Sequence, residues 1–161
     1  MTGRPPLDEE TKAVYAAEDA AAQAWSPRRY RTFAELTAEV ERIVTSDWWA
    51  ETFAGAPIEV YLERRSGTAT FSAACRRDGT GVLWFVDGHH WSADVVCHEL
   101  AHLATDSGHD AAFRAAYARQ VRRVLGPDIP PERVFVAMQS TDPADHLTPT
   151  SDWGTEENTH D

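Results

Sequence analysis

Lysine is almost missing from this chain: Lys12 stands alone beside fourteen arginines. Those 15 bases face 26 acids, so the formal charge is −11 at neutral pH. The shortage of positive charge is uneven. Residues 140–161 hold six acids (Asp142, Asp145, Asp152, Glu156, Glu157 and Asp161) and no base, which leaves 15 bases against 20 acids in the first 139 residues. A mildly acidic body with an acidic tail exerts no long-range attraction on nucleic acid or anionic lipid, so neither partner is expected. Cysteine is scarce too. Cys75 and Cys97 make no CxxC pair and no disulfide framework. One bridge between them is formally open, but two buried free thiols is the preferred reading. Long apolar runs are also missing. Nothing approaches the ~18 residues of a membrane span, and the opening MTGRPPLDEETK lacks the apolar stretch of a signal peptide. A soluble, cytoplasmic protein is expected.

Hydrophobic residues make up 42% of the chain and aromatics 10%, enough for one domain with its own core. The expected division is a domain over residues 1–139 and an acidic, disordered tail over 140–161. A first, Ala-rich helix is expected over about residues 8–24, before Trp25-Ser26-Pro27. Thr32-Phe33-Ala34-Glu35 reads as a capping box, and Phe33, Leu36, Val40, Ile43 and Val44 then form one helical stripe. Trp48, Trp49 and Phe53 are read as core anchors.

The period then changes. Ile58, Val60 and Leu62 alternate with polar or amphipathic residues, predicting a half-exposed strand. Residues 68–75 predict a second strand and 81–86 a third, more buried one, with Asp78-Gly79 as a hairpin turn. Arg64, Arg65, Arg76 and Arg77 are read as a solvated face at the strand ends. A helix is predicted over about 93–105 with Ser92 as its N-cap, ended by Gly108. Another runs from the capping Asp110 to about 125, stopped by Gly126-Pro127, with Phe113, Tyr117, Val121 and Val124 as its stripe. A last short strand is predicted over 134–138.

His98-Glu99-Leu100-Ala101-His102 is the pattern HExxH. Chance would produce it in about 2% of shuffled chains of this composition, so its context has to decide. A spacing of four turns a helix by about 400°, which leaves both imidazoles on one face and about 6 Å apart along the axis. Both can then reach one metal ion, while Glu99 beside them is placed to take a proton from a water on that ion. Two histidines leave the site one ligand short. Residues 103–131 contain no Glu, and Glu132 lies in a Pro-rich turn. His109 is the better third ligand, presented by a chain reversal that Gly108 allows through positive φ. Asp106 and Asp110 are both placed to accept the second N–H of a ligand imidazole, with Asp110 read first as a helix cap. Tyr117, Arg114 and His89 remain open as donors to a developing oxyanion. His89-His90 is otherwise read as a plain loop, and Cys97 as a core thiol.

The segment HELAHLATDSGHDAAF resembles the active-site segment of zincin metallopeptidases, most of all the SprT-like and WLM-type groups, where HExxH is followed by a histidine and, four positions later, an aromatic. Phe113 matches that aromatic. A wider likeness, from VYAAEDAA through SDWWAETF to the HELAH helix, resembles a family of actinobacterial and actinophage metallohydrolases and covers most of residues 12–125. The step to His109 is one residue longer than the metzincin pattern HExxHxxGxxH, so the chain is not read as a metzincin. The resemblance implies a zincin-like α+β fold: N-terminal helices, a small sheet with an antiparallel hairpin, the HExxH helix and a supporting C-terminal helix. It also implies His98, His102 and His109 as Zn²⁺ ligands and Glu99 as catalytic acid and base. The expected activity is a zinc-dependent metallopeptidase acting on a peptide or protein substrate. The alternatives are a hydrolase of a small non-peptide amide and a non-catalytic binding or regulatory protein stabilised by zinc.

Overall fold

The computed structural model describes residues 9–25 and 27–125. The predicted strand over 134–138 and the acidic tail lie outside the described residues. Three helices come first: α1 (Glu9–Trp25), α2 (Phe33–Val44) and α3 (Asp47–Thr52). Strands β1 (Val60–Arg65), β2 (Ala73–Arg77) and β3 (Thr80–Val86) follow, then helices α4 (Ala93–Thr105) and α5 (Ala111–Leu125). This is an α+β arrangement around a small mixed sheet. No helix of the described residues is long and apolar enough to cross a membrane.

The capping box at α2 forms in a shifted version. The Thr32 hydroxyl accepts from the Glu35 amide at 3.1 Å, and the Glu35 carboxylate accepts from the Arg31 amide at 2.8 Å. Leu36, Val40, Ile43 and Val44 of the predicted stripe are all buried. Trp49 is fully buried, and its indole donates to the Pro57 carbonyl at 3.0 Å, as an anchor should.

In the sheet, β3 is central, with β1 parallel on one side and β2 antiparallel on the other. Asp78 and Gly79 both take positive φ (49° and 82°), the condition for a two-residue hairpin turn whose twist matches the strands. So tight a turn draws Arg76 and Arg77 into the ladder, and β2 is therefore shifted toward the turn from the predicted 68–75. Pairing of β1 with β3 begins at Val60 opposite Gly81. No residue of β3 lies opposite Ile58, which is 64% exposed and not part of the strand.

The arginines lie in strands and not in a loop; Arg64 and Arg77 are exposed as expected, while Arg65 and Arg76 are half-buried. Each has a partner. Arg64 grips the Asp87 carboxylate at 2.8 and 3.1 Å, and Arg65 donates to the Phe71 carbonyl at 2.9 Å. Arg77 lies over the Trp84 ring. Arg76 donates to the Leu103 and Ala104 carbonyls, each at 2.8 Å, tying β2 to the negative end of α4.

Helix α4 is the centre of the molecule and is buried on nearly every side: Val96, Cys97, His98, Glu99, Leu100, Ala101 and Leu103 are all covered. Gly81 sets its approach to the sheet, because a Cβ there would stand 2.8 Å from a Leu103 methyl. The start of α4 departs from expectation. Ser92 occupies the cap position but its side chain makes no cap bond; separately, the Ala93 amide donates to the Arg28 carbonyl at 2.8 Å, within a local pairing of Arg29 with Ser92. Both cysteines are free. Cys97 is buried as predicted, while Cys75 on β2 is only half-buried.

Candidate metal centre

The helical spacing of His98 and His102 brings their Nε2 atoms to 3.1 Å, and His109 places its own Nε2 3.2 Å from that of His98. A tetrahedral ion with ~2.1 Å bonds would set neighbouring ligand atoms about 3.4 Å apart, close to these two separations, and the three ligand atoms all lie within 4.8 Å of one another. His109 arrives on a loop whose reversal is made by Asp106, not Gly108. Asp106 closes α4 in the left-handed region (φ 51°) with its amide on the His102 carbonyl at 2.8 Å, whereas Gly108 has no positive φ. Aspartate tolerates that region better than most residues, so glycine was not required. Asp110 acts as the cap of α5, accepting from the Phe113 amide at 2.9 Å, and also receives the Ser107 hydroxyl at 3.1 Å. Arg114 donates to the His109 carbonyl at 3.2 Å and steadies the same loop.

The far side of each imidazole is held as well. His102 Nδ1 lies 2.8 Å from the Ser107 carbonyl, which can only accept, so the ring proton sits on Nδ1 and the Nε2 lone pair faces the cluster. His109 Nδ1 meets the Thr11 hydroxyl at 3.1 Å, and His98 Nδ1 meets the Glu18 carboxyl. These are not the partners expected: neither Asp106 nor Asp110 takes a ligand N–H, and two of the three holders come from α1. Phe113 floors the group, its ring centroid 4.9, 4.4 and 5.0 Å from those of His98, His102 and His109.

Three lone pairs converging on one point repel each other unless a cation lies between them, so this donor set fits a metal ion. The histidines are positioned to hold one. Burial pushes His98 and His102 each down to about 4, so both rings are neutral near pH 7, the form a metal requires. Burial likewise pushes the Glu18 carboxyl well up, with Asp94 and Asp19 adding to the effect.

Glu99 is 4% exposed, and its Oε2 has no hydrogen-bond partner among the described residues. Burial raises its carboxyl to about 8, with Glu18 adding and Arg65 opposing. A buried, unsatisfied carboxyl oxygen is costly and marks a place where a ligand or water is to be met. Glu99 and His98 lie on the wall of a cavity of about 290 Å³ that Tyr15, Glu18, Phe71 and His90 also line. His90, not His89, borders this cavity; its Nδ1 is held by the Ser72 hydroxyl at 2.8 Å, and Ser72 in turn accepts from the Val86 amide at 3.1 Å. His89 lies on a neighbouring cleft with Arg29. Tyr117 is buried, its hydroxyl without a hydrogen-bond partner among the described residues.

Sequence reasoning missed Glu18, Thr11, Tyr15 and the Ser107 carbonyl. The available signal was the spacing of Thr11, Tyr15 and Glu18 at +4 and +7, a polar stripe in an otherwise Ala-rich helix. Comparison with known family models, with curated proteins and with solved structures finds no match to this chain.

Proposed function

We propose that this chain is a zinc-dependent hydrolase of zincin-like type, a metallopeptidase that cleaves peptide bonds. One observation carries the reading: three imidazoles with their Nε2 atoms converging and their Nδ1 atoms all held, next to the orphan carboxyl of Glu99 on a cavity wall. When bound by His98, His102 and His109, Zn²⁺ would supply Lewis acidity for the scissile carbonyl and lower the pKa of the attacking water to about 7. In the metal-free chain burial favours the protonated form of Glu99; the charge of a bound cation would favour its ionised form, which would accept the proton of the attacking water and pass it to the leaving amine. The residues just before β2 (Phe71, Ser72) wall the cavity, and among the described residues β2 is an edge strand. An extended peptide laid along that edge gains main-chain pairing and passes the catalytic carboxyl. The likeness of HELAHLATDSGHDAAF to SprT-like and WLM-type peptidases supports the same conclusion.

The test is metal analysis joined to two variants. Protein purified without added metal should carry about one zinc ion per chain, matching the three-histidine site found among the described residues. Glu99→Gln should keep the metal and lose peptide hydrolysis, while His109→Ala should lose the metal. A metal-loaded parent with no Glu99-dependent turnover on peptides or small amides would leave zinc with a purely structural role.

A further inference from the structure

Helix α1 lies far from the HExxH motif in sequence, yet it reaches the candidate metal centre with three side chains. Glu18 meets His98 Nδ1 and Thr11 meets His109 Nδ1, across 80 and 98 residues of chain. Tyr15 lies between them, its ring stacked on His98 (centroids 6.0 Å apart) and edge-on to His109 (5.6 Å). Positions 11, 15 and 18 fall within about 60° of one another around a helix, so a single face of α1 covers two of the three ligands. Val14 beside them is fully buried and seats that face.

We propose that α1 is a working part of the metal centre: Glu18 is the positioning residue that orients His98, Thr11 does the same for His109, and metal binding and docking of α1 strengthen each other. The inference rests on the metal-centre reading above. A neutral imidazole offers Nε2 to a metal only when its proton sits on Nδ1. An acceptor at Nδ1 selects that tautomer and fixes the plane of the ring. Conversely, a cation on Nε2 draws electron density from the ring and makes Nδ1–H a stronger donor, so its bond to the acceptor on α1 tightens. The two effects are one coupling free energy seen from two sites and must be equal. The carboxyl of Glu18 brings two oxygens to His98 Nδ1, whereas the Thr11 hydroxyl can either donate to or accept from His109 Nδ1, so Glu18 should matter more than Thr11.

The experiment uses the full chain, with Zn²⁺ as probe in competition with a chromophoric chelator and Co²⁺ as a spectroscopic reporter. Glu18→Gln and Glu18→Ala should weaken Zn²⁺ binding by about 10–100-fold, Ala more than Gln, because Gln keeps a neutral acceptor at the same reach. Thr11→Val should weaken it less, and Glu9→Gln, at an exposed position on the same helix, should leave it unchanged. Amides of α1 should gain protection from hydrogen exchange when Zn²⁺ is added to the parent, and that gain should vanish in Glu18→Ala. The visible spectrum of the Co²⁺ form should also shift in the Glu18 variants, which a merely structural role would not cause. Circular dichroism checks that each variant is folded; should Glu18→Ala fail, Glu18→Gln and Thr11→Val carry the test. Folded Glu18 variants that bind Zn²⁺ as tightly as the parent would overturn the role of α1 and leave the metal centre standing. A parent that binds no Zn²⁺ would overturn both.

Discussion

Replacing Glu99 by Gln removes a titration that burial has displaced, and the size of the effect follows from that displacement. The carboxyl is carried up to about 8 in the folded chain, against about 4.3 in an unfolded one. A raised folded value means that the folded state holds the proton after the unfolded state has released it. Stability is therefore fully present below about pH 4.3 and is lost as pH rises through about 8. His98 and His102 run the other way. Their folded values of about 4 lie below the ordinary ~6.5, so their contribution is present above ~6.5 and lost as pH falls toward 4. Between about pH 6.5 and 8 the histidines are silent and Glu99 is not. At ~1.36 kcal/mol per pH unit, the parent should lose about 2 kcal/mol relative to Glu99→Gln across that window. Other groups titrate in both chains and cancel in the difference. The assay is urea unfolding of both proteins in the presence of a metal chelator, at half-unit steps of pH. Parallel stability curves from pH 6.5 to 8 would refute the claim that Glu99 is a buried carboxyl held in its protonated form.

Two further outcomes follow from geometry. Phe113 is fully buried against all three imidazoles, so Phe113→Ala should cost about 3–5 kcal/mol in chemical denaturation and loosen metal binding with it; a loss under about 1 kcal/mol would show that the floor of the site collapses to fill the gap. Gly108 has open space where a Cβ would stand and no positive φ, so Gly108→Ala should be neutral or stabilising by up to about 1 kcal/mol and keep its metal. A marked loss of stability would place the chain reversal at Gly108 after all.

Much of the candidate site is legible locally because it is built by one helix. The four-residue step from His98 to His102 needs no tertiary information to put both rings on one side, and the cap by Asp110 is likewise a contact over three residues. The nearly continuous buried run through Val82, Leu83, Phe85 and Val86 and the Asp78-Gly79 turn place the central strand and its hairpin. Where the reading failed, the missing information was long-range or lay in alternatives that the local sequence leaves equal. Asp106 and Gly108 can both accept positive φ, and only the packing of α5 against α4 chose the first. Ser92 holds the cap position without a side-chain cap bond, and the Ala93 amide finds the carbonyl of the distant Arg28. Arg64 and Arg77 are exposed as read, but the partners of the four arginines (Asp87, the Phe71 carbonyl, the end of α4 and the Trp84 ring) are assembled only when the sheet and helix meet.

The shortage of lysine and the acidic tail described the chain's charge without touching its chemistry. What the sequence by itself determined was the facing histidine pair on α4, the hairpin and the stripes that fill the core, since each depends on periods of two to four residues that backbone geometry alone sets. What only the tertiary structure decided was which groups hold the far nitrogens of the imidazoles and which histidine of the His89-His90 pair borders the cavity. Apart from the Ser107 carbonyl, which lies five residues from His102, those contacts join residues 18 to 98 positions apart, and no local periodicity encodes them. They exist because α1 and the loop after β3 come to rest against α4, and burial there leaves each imidazole nitrogen in need of a partner.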